Sequence, residues 1–218
     1  MKTTIIIGAT GLVGNKLVHL LLNDDQIEKV VVFVRRSLTL QHPKLEEHII
    51  DFDKPETWMQ DVKGDILFSA MGTTIKQAGS KAQQYKVDYS YQYEFAQAAA
   101  YNHVPVYALV SAASSSPDSN IFYSRIKGEL ERDIKSLPFK SITILQPGLL
   151  TGARQDERFG EKLGYRVLKA LNTIGLFKKY RPVEGRTVAL ALRNAAFKAS
   201  AGVHTYTLDE LFKVAEEN

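Results

Sequence analysis

Tyr123 and Lys127 stand four residues apart in Tyr123-Ser124-Arg125-Ile126-Lys127. On a helix that spacing puts both side chains on one face. An ammonium beside a phenol favours the phenolate, so such a tyrosine can exchange a proton with a carbonyl or alcohol oxygen nearer neutral pH. A serine ending the preceding strand would hold the same oxygen. Ser111 takes that place, with Ser114 as the second candidate. A solvated helical pair is the ordinary alternative. Position after an apolar strand and the loop Ser111-Ala112-Ala113-Ser114-Ser115-Ser116-Pro117 favours the chemical reading.

A second constellation opens the chain. Ile5-Ile6-Ile7 is followed by Gly8-Ala9-Thr10-Gly11-Leu12-Val13-Gly14 and then by Leu17, Val18, Leu20, Leu21 and Leu22. A β-branched run suits a strand buried on both faces. A glycine-rich turn between such a strand and a helix is a cradle for a dinucleotide pyrophosphate. Gly8, Thr10, Gly11, Leu12, Val13 and Gly14 are its candidate contacts. Thr10 stands where the G-x-G-x-x-G pattern has glycine.

The remaining cofactor candidates fall at later strand ends. Val30 to Val34 ends in Arg35-Arg36, where the adenosine ribose is expected. An acidic residue there would favour NAD(H), whereas Arg35 and Arg36 suit a 2′-phosphate and predict NADP(H) over NAD(H). Asp51 is placed at the adenine amino group, with Phe52 beside the ring. Asp53 is as well explained as a helix cap before Pro55. Ala70, Met71 and Gly72 follow the strand Ile66 to Phe68 and let the backbone pass close to the ribose and nicotinamide.

These groups need a sheet to hold them. Short apolar runs alternate with helical patterns: strands at Leu45 to Ile50, Val104 to Val110, Ser141 to Leu145 and His204 to Leu208, and helices over Gly79 to Tyr101, around Tyr123 and over Val183 to Ala199. The pattern predicts an α/β fold, a Rossmann-type doubly wound parallel sheet with helices on both faces. Residues 1–218 read as one nucleotide-binding domain. A small substrate lobe is expected mainly from 150–185 and the C-terminal segment, with Tyr165 to Leu171 helical and Phe177 to Pro182 a basic, aromatic loop. Tyrosines of the 79–101 helix read as packing, and Asp209 as a cap for the last helix.

Composition sets bounds. The 218 residues are 44% hydrophobic, enough for a full core. A net charge of +4 with scattered basic residues gives no nucleic-acid signature. Without cysteine there is no disulfide or thiolate chemistry. The five histidines show no metal-ligand spacing. No apolar run reaches membrane-spanning length, so a cytoplasmic protein without membrane or nucleic-acid partners is expected, as monomer or homodimer.

Together, Gly8 to Gly14, Val34-Arg35-Arg36, Ala70-Met71-Gly72-Thr73-Thr74, Tyr123 with Lys127, and Gln146-Pro147-Gly148-Leu149-Leu150-Thr151-Gly152 resemble an atypical short-chain dehydrogenase/reductase of the NAD(P)-binding, epimerase-like group. Within it the chain is similar to the HIV-Tat-interacting-protein oxidoreductase family. The resemblance implies a serine–tyrosine–lysine set at Ser111, Tyr123 and Lys127, although the usual serine could align with Ala112 or Ala113. It implies that Pro147 packs on the nicotinamide, and that Asp88 stands where an asparagine often aids a proton relay. It implies an NADP(H)-dependent oxidoreductase acting on a carbonyl or alcohol. A non-catalytic NADP(H) sensor and a nucleotide-sugar epimerase or dehydratase are the alternatives, the last being one that a missing second nucleotide cradle would disfavour.

Overall fold

Ile5, Ile6 and Ile7 are all fully buried, and strand alternation decides where each goes. Ile6 joins one apolar cluster, while Ile5 and Ile7 join another. Successive side chains on a strand point to opposite faces, so one run of three isoleucines feeds two cores. The computed structural model describes residues 1–151 and 181–217.

The first half comprises β1 (Lys2–Ile7), α1 (Leu12–Leu22), β2 (Ile27–Val34), β3 (Leu45–Ile49) and β4 (Ile66–Ser69). The second begins with α2 (Ile75–Ala78), α3 (Lys81–Tyr85), α4 (Tyr91–Tyr101), β5 (Val106–Val110), α5 (Phe122–Ile134) and β6 (Ser141–Gln146). After these come β7 (Leu150–Thr151), β8 (Val183–Glu184), α6 (Gly185–Lys198), β9 (Gly202–Thr207) and α7 (Glu210–Glu216). The main sheet runs β3-β2-β1-β4-β5-β6-β9, and every pair in it is parallel. This is the expected doubly wound α/β fold.

The same alternation repeats across the sheet. Val30, Val32, Val34, Ile66, Phe68, Ala108 and Val110 pack with α1, α6 and α7 through Leu17, Leu21, Val188, Leu192 and Leu211. Val31, Phe33, Leu67, Tyr107, Leu109, Ile142 and Ile144 pack with α4 and α5 through Phe95, Ala99, Leu130 and Ile134. Burying each large aliphatic side chain contributes roughly 1.5–3 kcal/mol. A parallel sheet needs both faces covered, and the helices do this.

Three local expectations change. The helix read over Gly79 to Tyr101 is divided: Gly79 is left-handed (φ +86°) after α2, Ser80 caps α3, and Lys86–Ser90 forms a π-helical turn before α4. The widened turn is served by Gln92, whose Nε2 donates to the carbonyls of Asp88 at 2.9 Å and Val87 at 3.3 Å. Val183 and Glu184 form a strand paired with Leu150 and Thr151 rather than the start of a helix. Asp209 makes no side-chain cap. Its neighbour Glu210 accepts from the Thr207 amide at 2.7 Å and hydroxyl at 3.0 Å instead.

The lobe expected over 150–185 falls mainly on residues 152–180, outside the described residues, as do Tyr165 to Leu171 and most of Phe177 to Pro182. On α3, the π turn and α4, Tyr85, Tyr89 and Tyr93 form a ring ladder with centroids 4.9 and 5.7 Å apart. Tyr89 also donates to Asp133 at 2.7 Å, which agrees with a packing role.

Candidate active site

The strand order reverses between β1 and β4, and a crevice opens at the carboxyl ends of strands flanking such a point. Gly8 leaves β1 with φ +83°, and a Cβ there would meet the Ala70 backbone at 2.5 Å. A Cβ on Gly14 would stand 2.1 Å from the Gly8 carbonyl oxygen. Only glycine lets the turn, the helix and the β4 loop approach this closely. Gly11 at the N-cap has no side-chain cap, and the first turn of α1 holds no acidic residue. Its amide groups are therefore available to an anion.

A cavity of about 790 Å³ lies over this turn. Thr10, Gly11, Leu12 and Val13 line one wall, and Ala70, Met71 and Gly72 another. Arg36 stands on the wall after β2, and Ser111, Tyr123 and Lys127 line the wall formed by β5 and α5. The structure thus brings two distant sequence constellations into one space. The glycine cradle and the uncapped helix fit a dinucleotide pyrophosphate.

Lys127 is fully buried, and its Nζ lies 2.9 Å from Asp88 Oδ1, which is also buried. The other Asp88 oxygen accepts from the Thr73 amide at 3.1 Å. Lys127 also donates to the Met71 carbonyl at 3.4 Å. Burial pushes the Lys127 ammonium down, but Asp88, Tyr123 and Glu131 more than offset it and leave it above its ordinary value. The π turn places Asp88 here, beside Lys127, where the resemblance has an asparagine.

Ser111 is buried at the end of β5 and lies 3.1 Å from Ser115 Oγ. Its hydroxyl donates to Glu131, whose two oxygens also accept from Gln146 Nε2 at 3.0 Å each. The proton expected to hold a substrate oxygen is therefore directed to Glu131. Ser114, the second candidate, is exposed and left-handed (φ 63°).

Other expected contacts lie elsewhere. Gly8 and Gly14 shape the turn from beneath. Arg35 is exposed and does not line the cavity, because adjacent residues at a strand end project to opposite sides. Asp51 is also away from it, accepting the Asp53 amide at 3.0 Å and pairing with Lys54 at 3.7 Å. Phe52 is buried among Trp58, Tyr91 and Phe95, with ring centroids 6.5, 5.2 and 5.4 Å away, so it is a core residue and not an adenine platform. Pro147 lies off the cavity, and its carbonyl accepts from the Ala113 amide at 2.9 Å. Asp53 takes Lys86 at 2.5 Å and the Tyr91 hydroxyl at 2.8 Å, and does not cap a helix.

The residues missed in the sequence include Asn15, Lys16, Ser37, Thr73, Gln77, Val110 and Leu150 on the cavity wall. Lys16 was within reach of a periodicity argument, since it stands one helical turn after Leu12.

Similarity to known proteins agrees with this architecture. The chain is 34% identical over 174 residues to the mitochondrial protein FMP52 of Coccidioides immitis, covering 74% of this chain and 71% of that protein. It is 35% identical over 158 residues to the mitochondrial FMP52 of Saccharomyces cerevisiae, covering 71% and 68%. The chain belongs to the FMP52 family. Residues 3–114 of this FMP52-family chain match the family described as Semialdehyde dehydrogenase, NAD binding domain. Its pyridine-nucleotide-binding character therefore rests on sequence as well as fold.

A short-chain dehydrogenase/reductase superfamily protein from Agrobacterium tumefaciens, with bound NAD, superposes with TM-score 0.70 at 14% identity, covering 94% of this chain and 77% of that one. That likeness establishes a shared fold. The expectation of a cytoplasmic location is overturned, because the family's relatives at this identity are named mitochondrial.

Proposed function

We propose that this protein is an NADP(H)-dependent oxidoreductase acting on a small carbonyl or alcohol. The observation that carries the reading is one cavity lined both by the glycine turn with Lys16 and Arg36 and by Ser111, Tyr123 and Lys127. The nicotinamide, when bound, supplies or accepts a hydride. The amides of the α1 first turn bind the pyrophosphate. Lys16, Arg36 and Ser37 bind a 2′-phosphate, the group that separates NADP(H) from NAD(H).

Tyr123, partly exposed at the cavity wall, exchanges the proton at its hydroxyl with the substrate oxygen. Lys127 holds a fixed positive charge behind it, and Ser111 bounds the space beside it. The resemblance of Gly8 to Gly14 and of Tyr123 with Lys127 to the short-chain dehydrogenase/reductases supports the same reading. The test is a panel of aldehydes and ketones with NADPH and with NADH, followed by nicotinamide absorbance. Oxidation of NADPH by a member of the panel supports the proposal. Tight NADPH binding with no oxidation across the panel replaces it with a sensor.

A further inference from the structure

The lysine behind Tyr123 does not stand there as a bare cation. Asp88 Oδ1 lies 2.9 Å from its Nζ, with both groups closed to solvent. A second buried carboxylate, Glu131, stands one helical turn beyond Lys127 on α5. Glu131 is served by Ser111 and Gln146 and has Lys135 Nζ at 4.0 Å on its more exposed side. The groups facing Lys127 are thus Asp88 from the π turn, Tyr123 and Glu131 from its own helix, and the Met71 carbonyl from the β4 loop.

An ion pair is a dipole, whose field at a third group is far weaker than that of a lone ammonium. We infer that Asp88 cancels most of the pull of Lys127 on the Tyr123 phenol, so that the lysine acts on the site as half of an ion pair and not as a lone cation. The π turn is the structural device: it carries Asp88 inward to the lysine, and the carbonyls of Val87 and Asp88 accept from Gln92. In carbonyl reduction NADPH, when bound, would supply the hydride to the carbonyl carbon, and the Tyr123 hydroxyl would give its proton to the oxygen, so that alcohol and NADP⁺ result.

The inference rests on the proposed role of Tyr123, but its test needs no substrate. Alkaline difference absorbance of the tyrosinate band, wild type minus Tyr123→Phe, isolates the titration of Tyr123. The same difference is taken in the Asp88→Asn background, where the amide oxygen can still accept from Thr73. Asp88→Asn is expected to move that titration down by about one pH unit or more. An unmoved titration overturns the inference. If Asp88→Asn alone fails to fold, Asp88→Asn with Lys127→Met removes both charges together. Tyr123 in that double variant is expected to titrate within about half a unit of wild type, and a rise of about one unit or more overturns the inference, because the lysine would then have been acting unopposed. Loss of turnover across a carbonyl panel, with the titration shift intact, counts against the enzymatic reading and leaves the electrostatic one standing.

Discussion

Asp88 and Lys127 form a buried ion pair, 2.9 Å apart, that ties a π turn to the helix across the sheet face. Breaking such a pair by removing one partner costs about 3–5 kcal/mol, because the other charge stays buried. Asp88→Asn is expected to lose that much stability at neutral pH, read by urea unfolding. The pH dependence follows in sign. The folded-state value of Lys127 is raised, so its contribution is complete below the ordinary 10.5 and is lost only as pH rises through the higher folded value. The gap between wild type and variant therefore narrows as pH rises above 10.5. A gap that stays constant above pH 10.5 would contradict the pairing.

Tyr123→Phe removes one hydroxyl at the cavity wall and leaves the nucleotide end untouched. Turnover of whichever carbonyl proves active is expected to fall roughly 10²–10⁴-fold. NADPH affinity, measured by fluorescence titration, is expected to stay within about threefold, less than the loss of one good hydrogen bond.

Arg35 and Arg36 are neighbours in the chain with different surroundings. Arg36 lines the cavity and Arg35 does not. A charge-assisted hydrogen bond contributes about 1.5–3 kcal/mol, roughly 10–100-fold in affinity. Arg36→Ala and Lys16→Ala are each expected to weaken NADPH by about that factor while NADH binding changes little. Arg35→Ala is expected to leave both unchanged, by calorimetry.

Phe52 lies in an aromatic cluster with Trp58, Tyr91 and Phe95, where Trp58 and Phe95 stack with centroids 4.0 Å apart. Phe52→Ala opens a cavity there and is expected to cost about 3–5 kcal/mol in denaturant unfolding. The nucleotide affinity of the folded variant should match wild type, and a selective loss of affinity would restore an adenine contact.

The sheet was legible because its information is local. Ile5 to Ile7 and Val30 to Val34 announce buried strands, and glycine positions announce the turn. The pairing of Tyr123 with Lys127 was legible for the same reason, as helix spacing. What escaped was set by contacts between remote segments. Asp88 is turned inward by a π segment that no periodicity announces, and its partner comes from another helix. Phe52 looked like a ligand platform beside Asp51 because Trp58, Tyr91 and Phe95 close over it only in three dimensions. The Ser111 proton goes to Glu131 on the neighbouring helix, a partner that nothing in Ser111-Ala112-Ala113 reveals.

The central proposal is that the cavity over Gly8 to Gly14 selects a 2′-phosphorylated dinucleotide. Calorimetric titration of the wild-type protein with NADPH and with NADH tests it most directly. The account predicts that NADPH binds at least about tenfold tighter, the size of one charge-assisted contact. Equal affinities, or a preference for NADH, would contradict it.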